Sequence, residues 1–72
     1  MLRYKIDVDF DDQNIDVTSR RNYFDVIHKY DADTIGHEKT GTSTIFLSAE
    51  RLNLRQLVKD LVNIPIISVK TL

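Results

Sequence analysis

Apolar and polar residues alternate along the first ten positions of the chain. The even-numbered positions hold apolar residues: Leu2, Tyr4, Ile6, Val8 and Phe10. The odd-numbered positions between them hold charged residues: Arg3, Lys5, Asp7 and Asp9. A period of two sustained over this length predicts a strand that buries its even-numbered face and leaves the other face accessible.

Two later segments have helical periodicity. Thr18 or Ser19 can cap a first helix over about 19–31, because a short side-chain oxygen there accepts from free backbone N–H groups. Asn53 and Gln56 have the spacing of a capping box and predict the start of a second helix. One face of that helix carries apolar residues at the i, i+3, i+4, i+7 and i+8 positions: Leu54, Leu57, Val58, Leu61 and Val62.

Three further strands complete the pattern. We predict strands over 33–37 and about 43–49, and a last one in IISVKTL after Pro65. The order strand, helix, strand, strand, helix, strand predicts a single domain over residues 1–72 with an α+β, ferredoxin-like βαββαβ fold. In that fold a four-stranded antiparallel sheet has both helices on one face and leaves the other face uncovered.

The alternation within the strands predicts what lies on the uncovered face. If Ile6, Val8, Ile45, Leu47, Ile67 and Val69 point inward, the uncovered face holds the opposite set: Lys5, Asp7, Asp9, Thr44, Phe46, Ile66 and Ser68. Phe46 and Ile66 make that surface apolar, so we predict that they form the interface of a homodimer. Near Phe46 the third strand has apolar residues at both odd- and even-numbered positions. The sequence therefore does not decide which face Phe46 occupies.

Size and composition limit how the chain can be stabilised. A chain of 72 residues buries only about 60% of its unfolded surface, which favours help from a partner or a second copy. Without cysteine it has no disulfides and no thiolate metal ligands. No apolar run approaches the roughly 18 residues of a membrane span, and the start MLRYKID has no signal-peptide core. We therefore expect a cytoplasmic protein that does not bind membranes.

Charge is unevenly distributed along the chain. The formal net charge of −1 gives no global attraction to nucleic acid. Residues 1–16 nevertheless contain five aspartates, and residues 34–72 contain five lysines and arginines. This division suits head-to-tail contacts or a phosphate-binding groove in a dimer. An ordinary mixed, solvated surface explains it equally, and we prefer that interpretation.

Asp7 and Asp9 are the candidate catalytic residues and metal ligands. Mg²⁺ often takes only one or two protein carboxylates, so an aspartate from each chain of a dimer could hold an ion that activates phosphodiester hydrolysis. Side chains on one face of a strand lie about 6.5–7 Å apart, too far for two carboxylates to share an ion without distortion. The alternative, that these aspartates are solvated beside Arg3 and Lys5, is the one that the residues alone favour.

The remaining candidates are cationic or titratable. Arg20 and Arg21 open the predicted first helix and could bind a nucleic-acid backbone, although solvated first-turn positions also explain them. His37 beside Glu38 could act as a general acid or base at a loop tip, but we interpret it and His28 as surface histidines. Motifs for zinc, a serine nucleophile or a phosphate loop are not found.

Five segments of the chain together resemble a known group of nucleases. An aspartate-rich first strand (YKIDVDFDD) precedes a helix opened by two arginines (SRRNYFDVIHKY) and a β-rich segment (TSTIFLSA). A leucine-rich helix (LRQLVKDLV) and a closing strand (ISVKTL) follow. This arrangement resembles the small CRISPR adaptation nucleases and their relatives, virulence-associated protein D and the GhoS-type antitoxin ribonucleases. The resemblance implies homodimers that hold Mg²⁺ on an aspartate at the end of the first strand, here Asp9 or Asp7.

Two functional hypotheses follow. The first is a dimeric nucleic-acid-related protein of a defence or toxin–antitoxin system, either a metal-dependent endoribonuclease or an inactive relative that binds RNA or DNA. The second is a non-enzymatic module that binds another protein through the uncovered sheet face or an edge, such as an antitoxin, a phage-encoded inhibitor or a regulatory subunit. The resemblance favours the first hypothesis.

Overall fold

The elements follow the predicted order. A computed structural model describes all 72 residues and contains β1 (Leu2–Val8), α1 (Val17–Lys29), β2 (Asp33–His37), β3 (Thr42–Ala49), α2 (Leu54–Asp60) and β4 (Ile66–Thr71). The strands form one antiparallel sheet in the order β2-β3-β1-β4. The predicted ferredoxin-like α+β fold is confirmed. Neither helix is long and apolar enough to cross a membrane.

Both helices cover the same face of the sheet. Tyr4, Ile6 and Val8 of β1 are buried, whereas Leu2 at the start of the strand is exposed, and Ile6 pairs in register with Ile45 of β3. Tyr23 and Val26 of α1 and Leu57 of α2 belong to the same buried cluster. Because burial of apolar surface is the main favourable contribution to folding, the alternation in β1 fixes which face the helices cover.

The chain leaves the sheet earlier than the apolar alternation extends. Asp9 follows the last residue of β1 and donates its backbone N–H to the carbonyl of Pro65 at 2.9 Å. Phe10 is buried nevertheless, because its ring stacks on Tyr23 of α1 with centroids 3.9 Å apart. Ser43 donates from Oγ to the Phe10 carbonyl at 2.8 Å and so ties the loop to β3.

Asp16 caps α1, and the prediction that Thr18 or Ser19 is the cap was wrong. Asp16 Oδ2 accepts from the Ser19 N–H at 3.0 Å, and Oδ1 accepts from Ser19 Oγ at 2.8 Å. These hydrogen bonds, the backbone one first, hold the pKa of the Asp16 carboxyl below its ordinary value. A carboxylate outcompetes a hydroxyl as a cap here because it accepts both bonds at once.

A bulge in β4 decides which of its isoleucines lies on the uncovered face. Asp7 pairs with Ser68, but the next residue, Val8, pairs with Ile66, so Ile67 is the extra residue. Ile66 packs against the core, whereas Ile67 is 57% exposed. The sequence-based placement of Ile66 on the uncovered face, and of Ile67 inward, was therefore wrong. The alternation of faces, followed back from Ser68, breaks at Ile67 because a bulge inserts one residue into the strand.

The hairpin between β2 and β3 turns at the predicted glycine. Gly41 has a φ of 67°, which glycine adopts without steric cost, and donates its N–H to the His37 carbonyl at 3.0 Å. His37 therefore ends β2 opposite Thr42 of β3. This register brings the imidazole next to the middle of the sheet rather than leaving it at a loop tip.

Candidate functional site on the open face

The sheet face away from the helices, which we call the open face, is mostly polar. Its members on the central and β4 strands follow from the strand register: Arg3, Lys5, Asp7, Thr44, Phe46, Ser48, Ile67, Ser68 and Lys70. Phe46 pairs with Lys5 and therefore lies on the open face, which the sequence had left undecided. Its side chain is half-buried. The Arg3 guanidinium lies 5.8 Å from the centroid of that ring.

Asp7 is the centre of a hydrogen-bonded network on this face. Thr44 on β3 donates from Oγ1 to Asp7 Oδ1 at 2.6 Å, and Ser68 on β4 donates from Oγ to Oδ2 at 3.0 Å. The Thr44 bond first, and then the Ser68 bond, hold the pKa of the Asp7 carboxyl below its ordinary value. The carboxylate is therefore ionised at neutral pH and fixed between its two neighbouring strands.

His37 extends this network. Its Nε2 lies 2.7 Å from Thr44 Oγ1. Thr44 has a single hydroxyl proton, and it donates that proton to the ionised Asp7, so its oxygen must accept from His37. This fixes a proton on Nε2 and leaves Nδ1 of the neutral ring as a proton acceptor.

A groove of about 770 Å³ opens beside the network, between the β2–β3 hairpin and β1. Its ionisable lining residues are Lys5, Asp7, His37, Glu38 and Lys39. The three salt bridges of the chain use other cations: Arg3 with Asp33, Arg20 with Asp12, and Lys29 with Asp60. The two groove lysines form no salt bridge, but they share the groove with the carboxylates of Asp7 and Glu38.

The predicted metal ligands are not brought together by a shared contact. Asp7 lies within the network, whereas Asp9 lies beyond the strand end and is exposed. No three His, Asp or Glu side chains are grouped so that they could jointly hold a metal ion. Because Mg²⁺ can bind through one or two carboxylates, the Mg²⁺ hypothesis for Asp7 and Asp9 stays a prediction.

The two arginines predicted to bind nucleic acid lie on the helical side of the sheet. Arg20 Nε is 2.9 Å from Asp12 Oδ1, and the guanidinium also donates to the Asp12 carbonyl. Arg20 thus fastens the loop before α1 to the helix. Arg21 is exposed on the same helix. Both are separated from Asp7 by the sheet.

Reasoning from the sequence missed the connection of His37 to Asp7. Thr44 and Ser68 were placed correctly beside Asp7 by their parity, but their hydrogen bonds were not predicted. A hairpin built around Gly41 would have set His37 opposite Thr42 and within reach of Thr44. The signal was therefore present in the turn residue, although it requires the exact hairpin register.

Comparison of the chain with protein-family models, with curated proteins and with solved structures finds no match. The resemblance to the small CRISPR adaptation nucleases and their relatives therefore stays a prediction, and function must be argued from the open face.

Proposed function

We propose that this chain binds single-stranded nucleic acid, RNA above all, on its open face. The observation that carries the proposal is the pairing of Phe46 with Lys5 on the two central strands. Single-strand binding surfaces combine an aromatic ring on which a base stacks with cations that follow the phosphates. A sheet whose central strands present both is suited to that task.

The distribution of unpaired cations supports this proposal. Lys5 and Lys70 are paired across neighbouring strands on the open face, and Lys39 lines the groove at its end. None of the three has a salt-bridge partner. Charges act over about 10 Å at 0.1 M salt, so these three lysines attract a phosphate backbone locally, although Asp7 and Glu38 line the same groove and the net charge is −1.

A binding titration tests the proposal. A fluorescently labelled RNA of about 12 nucleotides covers the site size of a small single-strand-binding domain. We expect Phe46→Ala to weaken binding about tenfold or more, since stacking contributes about 1–3 kcal/mol per base. Lys5→Gln should also weaken it.

Lys59→Gln is the matched control for that titration. Lys59 is exposed on α2, on the other side of the sheet, and makes no salt bridge. The Lys59→Gln variant should bind RNA with the affinity of the unmodified chain. Equal affinities for all three variants, or no binding at all, would contradict the proposal.

Mg²⁺-dependent RNA cleavage, implied by the resemblance, is a separate extension of this function. Asp7 is the carboxylate that fits best, because it is held ionised on the open face, with Asp9 as the predicted second ligand. A bound Mg²⁺ would polarise a phosphoryl oxygen. Cleavage that requires Mg²⁺ and is lost in an Asp7→Asn/Asp9→Asn variant, but not in Asp25→Asn on α1, supports it. Identical RNA cleavage by the unmodified chain and by both variants would contradict it.

A second candidate function is protein binding, first of all to a second copy. Ile67 and Ile35 are 57% and 53% exposed on the open face, and Phe46 lies between their strands. Apolar side chains at this exposure favour a partner surface. If the open faces pair, sedimentation at tens of micromolar should give about twice the 8.4 kDa mass, and Ile67→Asp should give the monomer.

The two candidates use the same surface and can be separated by competition. RNA that binds the open face should dissociate a dimer formed through that face. A monomer of 8.4 kDa at all concentrations would contradict the homodimer and leave RNA binding unaffected.

A further inference from the structure

The two histidines of the chain have different surroundings. His28 is exposed on α1 and makes no side-chain hydrogen bond, whereas His37 is fixed through Thr44 to the ionised Asp7. The fixed proton on Nε2 leaves Nδ1 as the basic nitrogen. An oriented imidazole in the same groove as two lysines is an arrangement that general base catalysis on a phosphodiester can use.

The geometry points to His37 as a general base that cleaves RNA without a metal ion. This inference rests on the proposed RNA binding and deepens it, because it restricts the substrate to strands with a 2′-hydroxyl. Lys5 and Lys39, which line the same groove, would bind the phosphate and stabilise the negative charge that develops on its oxygens.

The reaction conserves every atom of the strand. His37 Nδ1 takes the proton of the 2′-hydroxyl, the 2′-oxygen forms a bond to the adjacent phosphorus, and the bond from phosphorus to the 5′-oxygen breaks. The 5′-oxygen takes a proton from water, and the imidazolium returns its proton to the resulting hydroxide. The products are a 2′,3′-cyclic phosphate and a 5′-hydroxyl, and no oxidant, reductant or co-reactant is needed.

The test uses the full chain in EDTA with an end-labelled RNA. We expect cleavage to a 2′,3′-cyclic phosphate, and none of the same strand carrying 2′-deoxy sugars. His37→Gln should lose about 100-fold or more of the rate, the usual contribution of a general base. The glutamine amide can still donate to Thr44 but has no basic nitrogen. His28→Gln is the matched control and should cleave normally.

Thr44 is the positioning residue of this proposal. Thr44→Val keeps the shape of the side chain and removes the hydroxyl, so it should lower kcat while leaving KM unchanged. Thr44→Ser restores the hydroxyl and should restore kcat. Circular dichroism of both variants checks that they are folded.

Any of three results would overturn the inference: cleavage that requires Mg²⁺, cleavage of the 2′-deoxy strand, or equal cleavage rates for the His37→Gln and His28→Gln variants. RNA binding without any cleavage would overturn this inference alone, whereas failure to bind RNA would overturn the proposed function as well.

Discussion

Asp7 shows how a strand residue on a solvent-facing sheet surface becomes part of a fixed polar network. Its two oxygens accept from hydroxyls on two different neighbouring strands, so the carboxylate connects β3, β1 and β4. Thr44 is only 2% exposed, which means that its hydroxyl depends on Asp7 and His37 rather than on water. Loss of Asp7 would therefore destabilise the fold mainly by leaving the buried Thr44 hydroxyl without its acceptor.

Replacing Asp7 by alanine should destabilise the fold in a pH-dependent way. A buried hydroxyl that loses its acceptor costs about 1–3 kcal/mol, so we expect a free energy of unfolding lower by that amount at pH 7. The pKa of Asp7 is lowered in the folded state, so its contribution is complete above the unfolded pKa and is lost as pH falls through the folded one.

The measurement is urea unfolding of both chains at pH 7 and pH 3. The difference between them should shrink at the lower pH, because the Asp7 carboxyl of the unfolded chain, with its ordinary pKa, binds a proton there. Asp25→Ala is the control, because Asp25 is exposed on α1 and makes no hydrogen bond or salt bridge through its side chain. A difference that is the same at both pH values would show that the network does not depend on the charge.

At the residue scale, the sequence allowed three members of the network to be placed on one face, but it missed His37 and the hydrogen bonds among the four residues. Parity alone placed Asp7, Thr44 and Ser68 on one face. The bonds depend on the exact register of three strands, and hydroxyl and carboxylate spacing carries no signal for that. The prediction of which isoleucine is exposed was wrong for the same reason. The sequence does not show that Ile67 is the extra residue of the bulge and that Ile66 pairs with Val8.

At the element scale, α2 shows why a strong apolar pattern overstates burial. The helix begins at the predicted cap, where Asn53 Oδ1 accepts from the Gln56 N–H at 3.1 Å. The Gln56 side chain donates to Asp60 and does not complete a capping box. Only part of the predicted apolar face is buried: Leu57 and Leu61 lie in the core, whereas Leu54, Val58 and Val62 are exposed. The helix has only seven residues, about two turns, and Leu61 and Val62 lie beyond its end, so the predicted stripe does not continue as one helical face.

Two neighbouring residues of α2 test this division. Leu57 has no exposed surface and Val58 is 54% exposed. Leu57→Ala should lower the free energy of unfolding by about 3 kcal/mol, because it removes buried methyl groups and leaves a cavity. Val58→Ala should change it by less than about 0.5 kcal/mol. Chemical denaturation measures both, and similar losses for the two variants would mean that Val58 is covered, for instance by a second chain.

At the scale of the whole molecule, the order of elements was predictable because two periods alternate along the chain. A period of two in β1 and a helical period in α2 leave few topologies once crossovers are right-handed. Function was less predictable, since it depends on which charges share a surface. Lys5 of the first segment and Lys70 of the last are far apart in the sequence, yet they are paired on neighbouring strands of the open face.

The salt dependence of RNA binding reports how many cations the open face contributes. Each phosphate neutralised on a single strand gives a slope of about −0.7 in a plot of log K against log salt concentration, so Lys5, Lys39 and Lys70 together predict about −2. Lys5→Gln/Lys70→Gln should reduce that slope to about −0.7, because one cation remains. Arg55→Gln/Lys59→Gln on α2 removes the same charge from the other side of the molecule. It should leave the slope unchanged, since those side chains lie away from the sheet surface that meets the phosphates. If both pairs of substitutions reduce the slope equally, the strand binds the whole surface without preference and the open face is not its site.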